Sequence, residues 1–252
     1  MNNQLGIEKL LFHLSKHQDC YVVIGGLAAR VLLEEKGLPF RETKDFDIVI
    51  LADATKKEFS KDICNLLKEG KYKNAISNSN KVCYRFINPE TPGYPKIIEL
   101  FSYKNNKDLH RYLKKIDIRY DDEELSAIVL DEEVFNFIKK RKTIGESGIP
   151  VVDVLGLISL KTFAYFENLE LYKSRKIKGR TNYLKHRNDI IRLLLSLSGN
   201  EKINDVPEII KKRCVEFVEV LDKSKAAFKD INTQNNISLA DVVSLYKNIY
   251  SI

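Results

Sequence analysis

YVVIGGLAARVLLEEKGLPFRETKDFDIVIL, residues 21–51, is the stretch from which the rest of the chain is read. Residues 21–24 are a short apolar, β-branched run. Gly25-Gly26 interrupts it before Leu27, Val31 and Leu32 recur at helical spacing. A glycine pair lets the backbone approach a ligand closely, and the helix that follows offers free N–H groups and the positive end of its dipole. Asp45-Phe46-Asp47 then heads a second apolar strand, residues 48–51. Side chains alternate on a strand, so the two carboxylates share one face and Phe46 takes the other. A phosphate-cradling turn followed by paired carboxylates points to Mg²⁺-dependent chemistry on a nucleoside triphosphate.

A length of 252 residues allows one large domain or two ordinary ones, and 44% hydrophobic with 31% charged residues is the make-up of a soluble globular chain. No run approaches the roughly 18 apolar residues of a membrane span, and the N-terminus shows no basic leader, so no membrane partner and a cytoplasmic location are expected. Cys20, Cys64, Cys83 and Cys214 form no C-x-x-C pair, which predicts reduced thiols. His13, His17, His110 and His186 form no zinc pattern. The formal net charge of +7 favours polyanionic partners. Between Lys161 and Arg187 eight basic residues face two acids, a local excess that suits either RNA or a solvated loop between helices.

Along the chain, residues 5–16 predict an amphipathic helix. Thr55 to Glu58 opens a second helix that Gly70 ends. Residues 81–87, 96–101 and 125–130 read as strands, residues 131–148 as polar and poorly patterned, and residues 149–152 as a last extended segment. From residue 153 the periodicity turns helical, over 153–168, 182–197, 206–221 and 238–250. Pro207 suits a first helical turn, and Ser238 an N-cap. The expected organisation is α+β, with a mixed sheet and flanking helices over residues 1–150 and a helical bundle over 151–252.

Two further groups stand out. Glu99 sits inside the apolar IIELF, where a carboxylate is costly to bury unless paired or on a metal. It is a candidate third acid if its strand lies beside that of Asp45 and Asp47, and a solvent-facing edge residue otherwise. Lys161 falls on the apolar stripe of Val154, Leu157, Ile158 and Tyr165, so it either snorkels outward or reaches an anion in a cleft. Lys185 and Asp189, four apart, read as a helical ion pair or as site residues.

The order GG, TKDFDI, a strand Glu, LISLKTFA and KHRNDIIRL resembles the AbiEii/AbiGii-type nucleotidyltransferase toxins of the DNA polymerase β-like superfamily, over roughly residues 20–197. That resemblance implies a polymerase β-like sheet followed by a bundle. Gly25 and Gly26 would bind the triphosphate through backbone N–H groups, and Asp45 and Asp47 would hold Mg²⁺. Glu99 would ligate a second Mg²⁺ or accept the proton of the attacking hydroxyl. Lys161 and Lys185 would contact the nucleotide, and Asp189 would complete the site. It further implies NTP as substrate, an acceptor hydroxyl such as that of tRNA, and an antitoxin protein as partner. A small-molecule acceptor and a silent nucleotide-binding module are the rival readings. The chain departs from the family pattern at Leu27, where Ser or Thr is usual, in having Glu as its third acid, and in a lysine-to-acid spacing one residue longer.

Overall fold

The structure is a computed structural model that describes residues 2–51, 57–74, 84–102, 128–129, 131–232 and 237–252. The chain divides into two units, Met1–Val152 and Asp153–Ile252.

The first unit is built on one mixed sheet. Its strands are β1 (Tyr21–Ile24), β2 (Asp45–Ile50), β3 (Lys73–Asn74), β4 (Tyr84–Ile87), β5 (Ile97–Ser102), β6 (Ile128–Val129), β7 (Lys142–Ile144) and β8 (Pro150–Val152). They lie in the order β3-β4-β5-β2-β1-β8-β7, and β6 pairs with the far end of β5. β2 runs antiparallel to β1 and parallel to β5. The helices are α1 (Asn2–Leu14), α2 (Gly25–Glu34), α3 (Lys57–Glu69) and α4 (Glu132–Lys140).

Alternation along β2 decides which face is core. Phe46, Ile48 and Ile50 are buried together with Ile98 and Leu100 of β5. Helices α1 and α3 cover this face: the Tyr21 ring stacks on Phe59 of α3, and Gly6 of α1 approaches the Phe46 ring. Asp45, Asp47 and Glu99 fall on the other face, half-buried.

One local expectation for this unit is corrected. The tract 131–148 holds α4 and β7. Asp131 caps α4 by accepting from the Glu133 N–H at 2.9 Å, and Val134, Phe137 and Ile138 supply its buried stripe. As expected, α3 stops directly before Gly70, although the left-handed conformation there is taken by Lys71, at φ 51°. Gly70 is needed for space, since a Cβ there would meet the Tyr72 ring at 2.4 Å. Thr55, read as part of a capping box, lies outside the described residues, as do Cys83, His110 and the first residues of the strand expected over 81–87.

α1 and the turn after it are joined to α3 by titratable contacts. His17 Nε2 lies 2.9 Å from Asp62, which also holds Lys16 at 2.9 Å. His13 is buried. Its Nε2 makes no hydrogen bond, although the Glu69 carboxylate is 3.3 Å away. Burial lowers the His13 pKa below 6.5, against the opposing pull of Glu69 and Asp62. At Asp62 burial pushes upward, but hydrogen bonds from His17 and Lys16 outweigh it and leave the pKa lowered. Both folded values lie below the unfolded ones, so both groups contribute stability at neutral pH that is lost on acidification. The expected result is a melting temperature that begins to fall below pH 6.5 and falls further once carboxylates protonate. His13→Leu should abolish the first step alone, and a profile unchanged by that substitution would exclude His13 as its source.

The second unit is helical among its described residues: α5 (Val154–Lys173), α6 (Thr181–Leu195), α7 (Glu208–Asp222), α8 (Lys225–Ile231) and α9 (Leu239–Tyr250). Asp153 caps α5 through the Gly156 N–H at 2.8 Å. Ser238 and Asp241 form a reciprocal capping box on α9. Pro207 stands at the N-cap of α7 rather than in its first turn, and the short α8 was not expected. The core is aromatic. Tyr165 packs edge-on against Phe166, Tyr183 and Phe217, and the series continues from Phe217 to Tyr246 and Tyr250. Buried hydroxyls pair within it, Ser159 with Tyr250 at 2.8 Å and Thr162 with Tyr246 at 3.2 Å. No helix among the described residues is long and apolar enough to cross a membrane.

Candidate functional site

One rung of the sheet brings the sequence motifs of the first unit together. Ile24 at the end of β1 pairs with Asp47 of β2, Asp47 with Glu99 of β5, and Glu99 with Arg85 of β4. Partners on a rung project to the same side, so the start of the glycine turn, two acids and an arginine line one face. Asp45, two residues before Asp47, shares that face beside Ile97. The strand of Glu99 is therefore internal and adjacent to that of the D-x-D. The edge-strand alternative is excluded.

The glycine turn is shaped by what presses against it. Gly25 sits at φ +70°, and a Cβ there would come within 1.8 Å of Asp47 Oδ2. The Asp47 carboxylate thus lies against the first residue of α2, at the positive end of the helix dipole. No side chain caps this helix. At Gly26 an added Cβ would meet Thr43 Oγ1 at 2.5 Å and lie 3.6 Å from an Arg41 guanidinium nitrogen. Thr43 is 4% exposed, and its hydroxyl donates a long bond of 3.4 Å to the Asp45 carbonyl.

Two residues that sequence reasoning passed over therefore flank the turn. The signal was within the quoted stretch, in RETKDFD, but only the fold carries Arg41 and Thr43 back onto Gly26. Leu27, where a hydroxyl residue was expected, is fully buried. It serves the core, and the hydroxyl beside the turn comes from Thr43.

Replacing Gly25 with Ala should therefore act twice. The left-handed backbone costs about 1–3 kcal/mol with a side chain present, and the methyl group would displace the Asp47 carboxylate. A lower urea midpoint together with a weaker Mg²⁺-nucleotide response is expected, and Gly37→Ala, also at positive φ but with open space around it, should lower stability alone. Equal nucleotide responses from the two variants would remove the second effect.

Glu99 accepts a charged contact from Arg85 at 3.2 Å, with its side chain 21% exposed. Among the described residues no three His, Cys, Asp or Glu side chains are grouped so as to hold a metal ion as they stand. The donor chemistry nonetheless fits a hard divalent cation. Asp45 and Asp47 are oxygen donors on one face, beside the glycine turn that begins α2. Anionic phosphate and carboxylates would repel each other across that turn without a cation between them.

Lys161, Lys185 and Asp189 belong to the second unit. Lys161 does not snorkel; it is 3% exposed, and its Nζ donates to Asp189 Oδ2 at 2.8 Å, with Asp189 fully buried. Arg192 lies 3.9 Å from the other oxygen of Asp189. The expected Lys185–Asp189 pair is replaced by Lys161–Asp189, because Lys185 is exposed on α6 while Asp189 faces α5. The described cysteines, Cys20, Cys64 and Cys214, are buried, and no disulfide joins them to one another. Burial pushes the Cys64 thiol up to about 12 and the Cys214 thiol up to about 11, which keeps both in the unreactive protonated form.

Compared with known proteins, the chain matches no family model and no curated sequence.

Proposed function

We propose that the chain is a Mg²⁺-dependent nucleotidyltransferase with a polymerase β-like first unit, moving a nucleotide from an NTP to an acceptor hydroxyl. The observation that carries this reading is the rung Ile24–Asp47–Glu99, which sets the glycine turn at the start of α2 beside two aspartates and a glutamate on adjacent strands. Bound Mg²⁺ would neutralise phosphate charge and polarise the attacking hydroxyl.

The chain's own groups have separate tasks. The N–H groups of Gly25 and Gly26 receive phosphate oxygens at the start of α2. Thr43 and Arg41 flank that turn, the first as a hydroxyl donor and the second as a cation. Asp45 and Asp47 hold the metal. Glu99, kept in place by Arg85, adds a third carboxylate on the same face. Lys161 and Asp189 serve first as a buried pair within the helical unit. The resemblance extends the proposal to a toxin restrained by an antitoxin protein.

The reading is tested by incubating the protein with Mg²⁺, each α-³²P-labelled NTP in turn and total tRNA. Label on RNA that vanishes with Asp45→Asn/Asp47→Asn supports it and identifies the nucleotide. No label on RNA or on any small-molecule acceptor, with no Mg²⁺-NTP effect on melting temperature, would overturn it in favour of a silent module.

A further inference from the structure

Glu99 has a cation as well as an acid for a neighbour. On its rung Asp47 of β2 stands on one side and Arg85 of β4 on the other. Across adjacent strands opposite charges attract and like charges repel. The Glu99 carboxylate takes the attractive side, with Oε1 3.2 Å from Arg85 Nε. Neighbouring strands lie about 4.8 Å apart, so a carboxylate turned towards β4 is turned away from β2. Asp45, Asp47 and Glu99 accordingly share a face without forming a three-acid group.

This placement belongs to the register and does not depend on one rotamer. β4 and β5 pair from Tyr84↔Leu100 to Ile87↔Ile97, so Arg85 stands opposite Glu99 whichever way either side chain turns. Its guanidinium cannot be deprotonated in a protein. A Mg²⁺ ligated by Glu99 would need a near-octahedral oxygen shell at about 2.0–2.1 Å, and would stand close to that permanent positive charge. Like charges so placed repel more strongly as water is withdrawn, and the Glu99 side chain is only 21% exposed. Asp45, by contrast, faces the apolar Ile97 across its rung. The donor set fits one divalent cation at the paired aspartates and does not fit a second at Glu99.

Arg85 can supply the charge that a second ion would bring. Its side chain is 45% exposed, on the face that carries Asp47 and the start of the glycine turn, and Glu99 is the acid it pairs with among the described residues. A guanidinium carries five N–H donors, of which a carboxylate held bidentately uses two. The same group can therefore neutralise Glu99 and contact a phosphate oxygen.

We propose that this face takes a single divalent cation, at Asp45 and Asp47, and that Arg85 is a positioning residue that keeps a second one off Glu99 while adding its own charge to the phosphate site. The inference rests on the transferase reading for the metal itself, and departs from the second Mg²⁺ that the resemblance implies.

The test is metal stoichiometry, measured without nucleotide and without reference to activity. Mn²⁺, which shares the preference of Mg²⁺ for oxygen ligands, is titrated into the protein, and the free ion is followed by its electron paramagnetic resonance signal. The unaltered chain should hold one Mn²⁺, and Asp45→Asn/Asp47→Asn none. Over the same Mn²⁺ range Arg85→Gln should hold two, Arg85→Lys one because the charge is kept, and Arg85→Gln/Glu99→Gln one again. Arg85→Gln should fold as the unaltered chain does, since so exposed a pair adds little to stability. Glu99→Gln alone should keep its single ion; losing it would make Glu99 a ligand and overturn the proposal. Two ions on the unaltered chain, or one on Arg85→Gln, would also overturn it and leave the transferase reading standing. No ion on the unaltered chain would overturn both.

Discussion

Asp189→Ala should destabilise the protein by about 3–5 kcal/mol, the cost of stripping one partner from a buried ion pair. The pair is dry, with Lys161 and Asp189 side chains 3% and 0% exposed and their charged atoms 2.8 Å apart. Removing the carboxylate leaves a buried ammonium without its counter-charge in the helical unit. Lys161→Met should cost less, because Arg192 stands 3.9 Å from Asp189 and shares its charge. The double substitution Lys161→Met/Asp189→Leu is expected to recover most of the loss, since packed apolar side chains commonly replace a buried pair without penalty. Urea unfolding followed by far-ultraviolet circular dichroism measures all three, in a chain that has no tryptophan to report by fluorescence. Three additive losses would show that the two residues do not depend on each other. The double variant also separates architecture from chemistry. If it folds and still transfers nucleotide, Lys161 has no phosphate contact to lose.

Asp47→Asn should reduce nucleotide transfer by at least about 10²–10³-fold, the scale on which a single preorganised electrostatic contact acts. Asp47 is placed to matter most, with Glu99 across the rung on one side and Gly25 against its carboxylate on the other. Asp45→Asn, one step along the strand, should follow closely. The fold should not suffer. Without nucleotide the melting temperature of Asp47→Asn should change little, because relief of the repulsion from Glu99 offsets the lost attraction to the positive end of α2. With Mg²⁺ and NTP at about 100 times the dissociation constant, binding should stabilise the unaltered chain by about 2.7 kcal/mol and the variant by much less. Full activity in Asp47→Asn would end the metal-site assignment, whereas loss of activity with loss of folding would place Asp47 in the structure alone.

How much could be read from the chain depended on the distance over which each feature is determined. The β1 run, the D-x-D strand, the IIELF strand and the helices after residue 153 were legible because burial imposes a period of two or 3.6 on neighbouring residues. The capping box at Ser238 was legible for a similar reason, since its two partners are three residues apart. α4 was missed although it carries the same kinds of signal, an Asp131 cap and a stripe of Val134, Phe137 and Ile138. Nine residues are too few for periodicity to rise above its polar surroundings.

The residues themselves determined that Asp45 and Asp47 share a face and that a glycine pair precedes a helix. These are properties of a single strand and a single turn. Only the tertiary structure decided that β5 lies next to β2 with Glu99 opposite Asp47, that Arg85 holds Glu99, and that Thr43 stands over Gly26. It alone also gave Asp189 to Lys161 rather than Lys185. The reason is physical: periodicity tells a side chain which face to take, but the choice of neighbour is made when separate elements pack. A carboxylate and an ammonium 28 positions apart are paired by the burial of the helices that carry them.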